Sequence, residues 1–198
     1  MHVPRADINA CAASHARLLR WVADLDDDGA RAPSRLPGWS RGHLVTHLAR
    51  NADSVVRRLA AAREGRVADQ YEGGAAGRAA EIEVGASRSA ADLLADLRTA
   101  CAEVDVALAA HPEDRWGDLS RGVDGDEAPV ATLPFRRWRE VEVHLVDLDV
   151  GYEPSDWPAA LVERWLPELL PRLAGRSEPA PLLAWLLRRG PAPPLDPW

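Results

Sequence analysis

Apolar side chains recur at helical spacing over four long stretches, and this periodicity limits the possible folds more than any other feature of the chain. Ile8, Cys11, Leu18, Leu19, Val22 and Leu25 mark residues 7–27, which end in the acidic stop Asp26-Asp27-Asp28-Gly29. After a loop with two prolines, Ser40 is a good N-cap, and Leu44, Val45, Leu48, Val55, Val56 and Leu59 carry a second stripe to about residue 63. Ser89 followed by Asp92 resembles a loose capping box, opening a third helix with Leu93, Leu94, Leu97, Cys101, Val104 and Leu108 on one face. Pro134 suits a first helical turn, and Phe135, Trp138, Val141, Leu145 and Leu148 line a fourth helix over 134–149. An amphipathic helix buries its stripe against other elements, so four of them predict a helix bundle. Residues 75–84 read as a short extra helix, 157–173 as a proline-punctuated helix and 182–187 as an extended apolar piece before a proline-rich tail ending in Trp198. The expectation is a mainly α chain: a four-helix bundle in 1–152, then a short C-terminal extension in 153–198.

Charge narrows the function. With 24 basic and 31 acidic residues the net charge is −7 over 198 residues. That balance argues against nucleic acid and against an anionic membrane surface, since both call for a cationic face. No apolar run approaches the ~18 residues of a membrane span. The start, MHVPRADINACAASHARLL, lacks the charged-then-apolar pattern of a leader, so the expected location is the cytoplasm. Cys11 and Cys101 stand singly inside helical patterns and read as small buried core residues. All basic residues are arginine, a bias typical of a GC-rich genome. Nothing marks an interface, so the oligomeric state stays open.

The chemistry-bearing residues sit at i, i+4 spacing. Glu140 and His144 lie one turn apart on the fourth helix, with Cβ atoms about 6 Å apart, close enough to reach one ion. Glu142 is about 200° round the helix from His144 and is a poor co-ligand. On the second long helix His43 and His47 form a similar pair. If the two helices are neighbours, one of these histidines completes a set of two imidazoles and a carboxylate with a position left open. That pattern suits a catalytic Zn²⁺ site and also accepts Fe²⁺ or Ni²⁺. A lone Glu-x-x-x-His pair is commonly just a surface hydrogen bond, and His43, near its helix start, is open to solvation. His2, His15 and His111 have no such partners and read as structural. Trp39 and Trp138 read as core or pocket lining. Arg136, Arg137 and Arg139 read as a solvated or salt-bridged face, with attraction of an anionic substrate as the alternative.

Two segments add what spacing alone does not. LPGWSRGHLVTHLARNADSVVRRL (36–59) and LPFRRWREVEVHLVDLDVGY (133–152) resemble the signature stretches of the mycothiol-dependent maleylpyruvate isomerase family, one of the DinB-like, thiol-using metalloenzymes. Tyr71-Glu72-Gly73-Gly74, Glu81-Ile82-Glu83 and SDWPAALVERWLPELL (155–170) fit as well. The resemblance implies a DinB-like bundle holding a divalent metal, usually zinc, through His47, Glu140 and His144. It implies mycothiol as the thiol cofactor, a small electrophilic or dicarboxylic substrate, and cis-trans isomerisation by thiolate addition, bond rotation and elimination. The family often has a histidine where this chain has Leu145, a position that is not the usual ligand. Family members commonly continue into a sterol-carrier-like α/β domain, and most of its strands have no counterpart after Gly175. That domain supplies a substrate-handling arginine, for which Arg189 is the candidate here. The arginine-only composition agrees with an actinobacterial source, where mycothiol is the main small thiol. Two other functions compete: a mycothiol S-transferase consuming thiol with an electrophile, and a non-catalytic metal-binding module.

Overall fold

A computed structural model describes residues 2–196, so Trp198 of the predicted tail lies outside the described residues. Apart from short 3₁₀ turns, the elements among the described residues are α1 Arg5–Trp21, α2 Asp27–Arg31, α3 Arg41–Arg63, α4 Gly74–Ala86, α5 Ala90–Ala109, β1 Leu119–Arg121, β2 Glu127–Pro129, α6 Leu133–Asp147, α7 Ala159–Leu169 and α8 Pro179–Leu186. The chain divides into two compact units, the first reaching Pro154 and the second starting at Ser155.

In the first unit α3 packs on α5, α5 on α1, α1 on α6 and α6 on α3, a closed ring of four helices, with α4 laid along α3. The predicted stripes supply the interior. Cys11, Leu18, Leu44, Leu48, Leu59, Leu93, Leu97, Val104, Val141 and Leu145 are all fully buried. At about 1.5–3 kcal/mol per buried Leu or Val side chain, this stripe-on-stripe contact is the main source of the bundle's stability. The α4 helix comes so close to α3 that a Cβ on Gly85 would lie 2.3 Å from Thr46 Cγ2, so only glycine fits there. A two-stranded antiparallel hairpin, with Leu119 opposite Pro129, links α5 to α6.

Two sequence expectations are corrected here. The acidic run does not terminate a helix reaching residue 27: α1 ends at Trp21, and Asp26 instead caps α2 by accepting from the Gly29 backbone N–H at 2.7 Å. Residues 182–187 are not extended. Residues 182–186 complete α8 and Leu187 is its C-cap, because Pro179 and Pro181 fall in the first turn, where a missing N–H costs no hydrogen bond.

In the second unit α7 passes into a tight 3₁₀ stretch, Leu170–Gly175, before α8. Leu161, Trp165 and Leu182 are buried, while Leu166, Leu183 and Leu187 are exposed. No helix among the described residues is long and apolar enough to cross a membrane.

Candidate metal centre

The start of α3 is fixed against the end of α6 by the loop between Pro33 and Ser40. The Arg35 backbone N–H donates to the Asp147 carbonyl at 2.8 Å, and Arg41 donates to the Leu148 and Asp149 carbonyls at 2.7 and 2.8 Å. These bonds satisfy carbonyls that α6 leaves unpaired at its C-terminus. Farther along, Arg137 of α6 donates to the Leu48 carbonyl and Asn51 Oδ1 of α3, both at 2.9 Å. Pinned at both ends, the second turn of α3 faces the last two turns of α6.

His47 therefore meets Glu140 and His144. His47 Nε2 lies 2.7 Å from Glu140 Oε1, and His144 Nε2 lies 3.6 Å from the same oxygen. One ligand atom from each of the three residues falls within 4.8 Å of the others. His144 directs its second nitrogen, Nδ1, at Asp147 Oδ2, 2.9 Å away. That contact keeps a proton on Nδ1, so Nε2 is the nitrogen that ligates once the ring is neutral, the usual support for a metal-bound histidine. Two imidazole nitrogens and a carboxylate oxygen at this separation fit a divalent cation of the borderline-soft kind.

The electrostatics of the trio are uneven. Burial pushes His47 down to about 4, a drop that its bond to Glu140 only partly offsets. Burial also opposes the charged form of His144, but hydrogen bonds to Asp147 and Glu140 outweigh it and raise the ring to about 9. Burial would raise the Glu140 carboxyl, yet the two histidines beside it hold it well below the usual carboxylate range. The group thus carries an anionic carboxylate, one neutral ring and one ring that must shed a proton before it ligates.

Other candidates take different roles. His43 is not part of the trio: its Nδ1 lies 2.7 Å from Ser40 Oγ in a capping box, and its Nε2 is 3.4 Å from Glu83. Glu142 faces away, fully buried between Arg17 at 2.6 Å and the Tyr152 hydroxyl at 2.5 Å. The expectation of a solvated or salt-bridged face for Arg137 is corrected. It is 1% exposed, donating also to His15 Nε2 at 3.0 Å, because four helices converge around it. Arg136 is exposed, and Arg139 lies over the Phe135 ring at 5.2 Å. Arg189 is exposed in the second unit, with Nη1 3.5 Å from the Leu187 and Arg188 carbonyls.

A second group, Cys11, His15 and Asp105, also brings ligand atoms together. The Arg137 guanidinium on His15 Nε2 occupies the nitrogen a cation would need, and burial pushes the Cys11 thiol up to about 12. This group is a hydrogen-bonded core and a poor cation site. Cys101, like Cys11, is a buried free thiol, as its helical position suggests.

Three neighbours of the trio were not read as site residues from the sequence. Arg78 of α4 donates to His47 Nδ1 at 3.1 Å and lies over the rings of Trp39 and Tyr71, 5.7 Å from each. Asp147 was legible in principle, three residues after His144 on the same helix face. Arg78 and Tyr71 come from segments with no periodic relation to α3 or α6, and only the folded α3–α4 contact brings them in.

Comparison with known proteins follows the same lines. Residues 11–149 match the family model described as "Mycothiol maleylpyruvate isomerase N-terminal domain". Among solved structures the chain is similar to the crystal structure of the mycothiol-dependent maleylpyruvate isomerase, with 25% identity over 84% of this chain and 69% of that one, at a TM-score of 0.79. A histidine-to-alanine mutant of that isomerase gives 24% identity with the same coverage and TM-score. No curated protein matches significantly.

Proposed function

The chain belongs to the mycothiol maleylpyruvate isomerase N-terminal domain family, and we propose that it is a divalent-metal-dependent, mycothiol-using enzyme of the isomerase type. The observation that carries this reading is the convergence of His47, Glu140 and His144 ligand atoms in a chain so similar to that isomerase. These three residues are the proposed ligands. Zinc is the proposed metal, because two imidazoles and a carboxylate are a familiar set for catalytic zinc. We take 1–152 as the metal-bearing bundle, 153–198 as a separate extension and the cytoplasm as the working location. The likeness is to enzymes, which gives the non-catalytic reading no support.

A divalent ion held there would keep a small thiol in its thiolate form near neutral pH. The chain's own residues do the remaining work. Asp147 accepts from His144 Nδ1 and fixes the ring orientation and tautomer. Trp39 packs against both His43 and His47 and shields one side of the trio. Arg78, which has no carboxylate partner among the described residues, places a cationic group beside the ligands for a substrate carboxylate. Arg189 is the proposed contribution of the extension to substrate handling. In the reaction, thiolate adds to the cis double bond of a maleylpyruvate-like acid, the new single bond rotates, and elimination returns the thiolate with the trans product.

Counting thiol tests this. The isomerase reading expects trans product to accumulate with free mycothiol constant over many turnovers, and activity lost in His47→Ala. One thiol consumed per substrate converted would overturn it in favour of the S-transferase. Conversion unaffected by His47→Ala would remove the site from the chemistry.

A further inference from the structure

Arg78 and a ligand role for His47 make incompatible demands on one imidazole. A guanidinium has only donors, so an Arg78 Nη2 at 3.1 Å makes His47 Nδ1 the acceptor. The ring proton is then on Nε2, where it points at Glu140 Oε1, 2.7 Å away. For His47 to offer Nε2 to a cation, the proton must move to Nδ1. Two N–H groups would then face each other across the contact with Arg78, and a cation would be added to a neighbourhood that already holds a guanidinium. Arg78 must swing off His47.

The surroundings suit such a movement. Arg78 is half-buried rather than enclosed, and it rests on the faces of Trp39 and Tyr71, flat supports over which a guanidinium can slide. None of the described carboxylates pairs with it. This separates it from Arg17, Arg35, Arg50, Arg88 and Arg121, each of which holds an Asp or Glu. Once off His47, Arg78 has a planar pair of donors and no acidic partner, the geometry that recognises a carboxylate.

We propose that Arg78 is a latch coupling the metal centre to the substrate: it holds His47 in the tautomer that cannot ligate, and when released it takes a carboxylate of the incoming small molecule. The proposal rests on the reading of His47, Glu140 and His144 as ligands. Metal and carboxylate then bind with positive coupling, and linkage requires each to tighten the other by the same factor. Arg78 acts on the metal through His47, so toward the metal it is a positioning residue.

The test uses the full chain stripped with a chelator, with Zn²⁺ affinity read by competition against a chromophoric chelator and fumarate as the carboxylate probe. Arg78→Met removes the donors and keeps an unbranched apolar stem, while Arg78→Gln adds a carbonyl that can accept from Nδ1–H. Both variants are expected to bind Zn²⁺ about tenfold more tightly than wild type without fumarate, the size of one charge-assisted hydrogen bond. Saturating fumarate is expected to tighten Zn²⁺ binding severalfold in wild type and to have no comparable effect in Arg78→Met. Long-range ¹H–¹⁵N spectra of the stripped wild type are expected to show the His47 proton on Nε2. Equal or weaker Zn²⁺ binding by both variants overturns the latch, as does a fumarate effect that survives Arg78→Met. Absence of Zn²⁺ binding in wild type and variants alike refutes the metal centre instead.

Discussion

Binding of a divalent ion should release a proton, and the structure sets the pH range in which it does. His144 is raised to about 9 by Asp147 and Glu140 against the pull of burial, so at pH 7 the ring is almost wholly protonated without an ion. Its Nε2 ligates only after that proton leaves. Two pH units at 1.36 kcal/mol each put the competition near pH 7 at about 3 kcal/mol, or roughly a hundredfold in apparent affinity. His47 is held near 4 and is already neutral, so it contributes no proton in this range. Calorimetric titration with Co²⁺, in buffers of different ionisation enthalpy, should show close to one proton released per ion at pH 7. Apparent affinity should rise about tenfold per unit from pH 6 to 8 and flatten as pH passes about 9. Asp147→Asn keeps a carbonyl that can accept from Nδ1 but removes the negative charge that helps hold His144 protonated, and should reduce the proton release at pH 7. Affinity independent of pH between 6 and 8, with no proton released, would refute this assignment of charge within the trio.

Three further outcomes follow from the packing and titration. Gly85→Ala gains about 1 kcal/mol of helix propensity but drives a Cβ into Thr46, at an overpacking cost of about 1–3 kcal/mol, so the net effect should be destabilising. In a Thr46→Ala background only the 3.2 Å contact with Cβ remains, so the same change should cost less, and denaturant melts of the four proteins settle it; a stabilising Gly85→Ala in wild type contradicts the close contact. Arg137→Met strands His15 Nε2 and Asn51 Oδ1 in the core and should lower unfolding free energy by about 3 kcal/mol in urea titrations; an unchanged midpoint would mean the network contributes nothing. Since the folded His47 value lies below its unfolded one, its contribution is present above about 6.5 and is lost as pH falls through 4. His47 should account for about 3 kcal/mol of the stability the metal-stripped protein loses over that range, a part that His47→Gln should remove.

Much of this was legible in sequence because helices report themselves through spacing. The stripes on α3, α5 and α6 map directly onto the buried faces of the bundle, and Glu140 and His144 share a face by helical geometry alone. The resemblance to the isomerase family selected His47 over His43, and the fold supplies the physical reason: His43 is occupied in capping α3. What sequence could not supply depended on contacts between segments. Arg137 looks like one of three arginines on an exposed face, and only the crossing of α1, α3, α5 and α6 encloses it. Arg78 has no pattern linking it to His47 thirty-one residues earlier in the chain. The acidic run near residue 27 and the apolar run at 182–187 were misread for a simpler reason, since aspartates and prolines open helices as readily as they follow them.

The central claim is that His47, Glu140 and His144 hold a divalent metal, and elemental analysis of the purified protein tests it most directly. The account predicts close to one zinc or other divalent ion per chain in wild type, lost in both His47→Ala and Glu140→Ala while each variant keeps its helical circular dichroism. Metal absent from wild type even after reconstitution, or equally present in both variants, would contradict it.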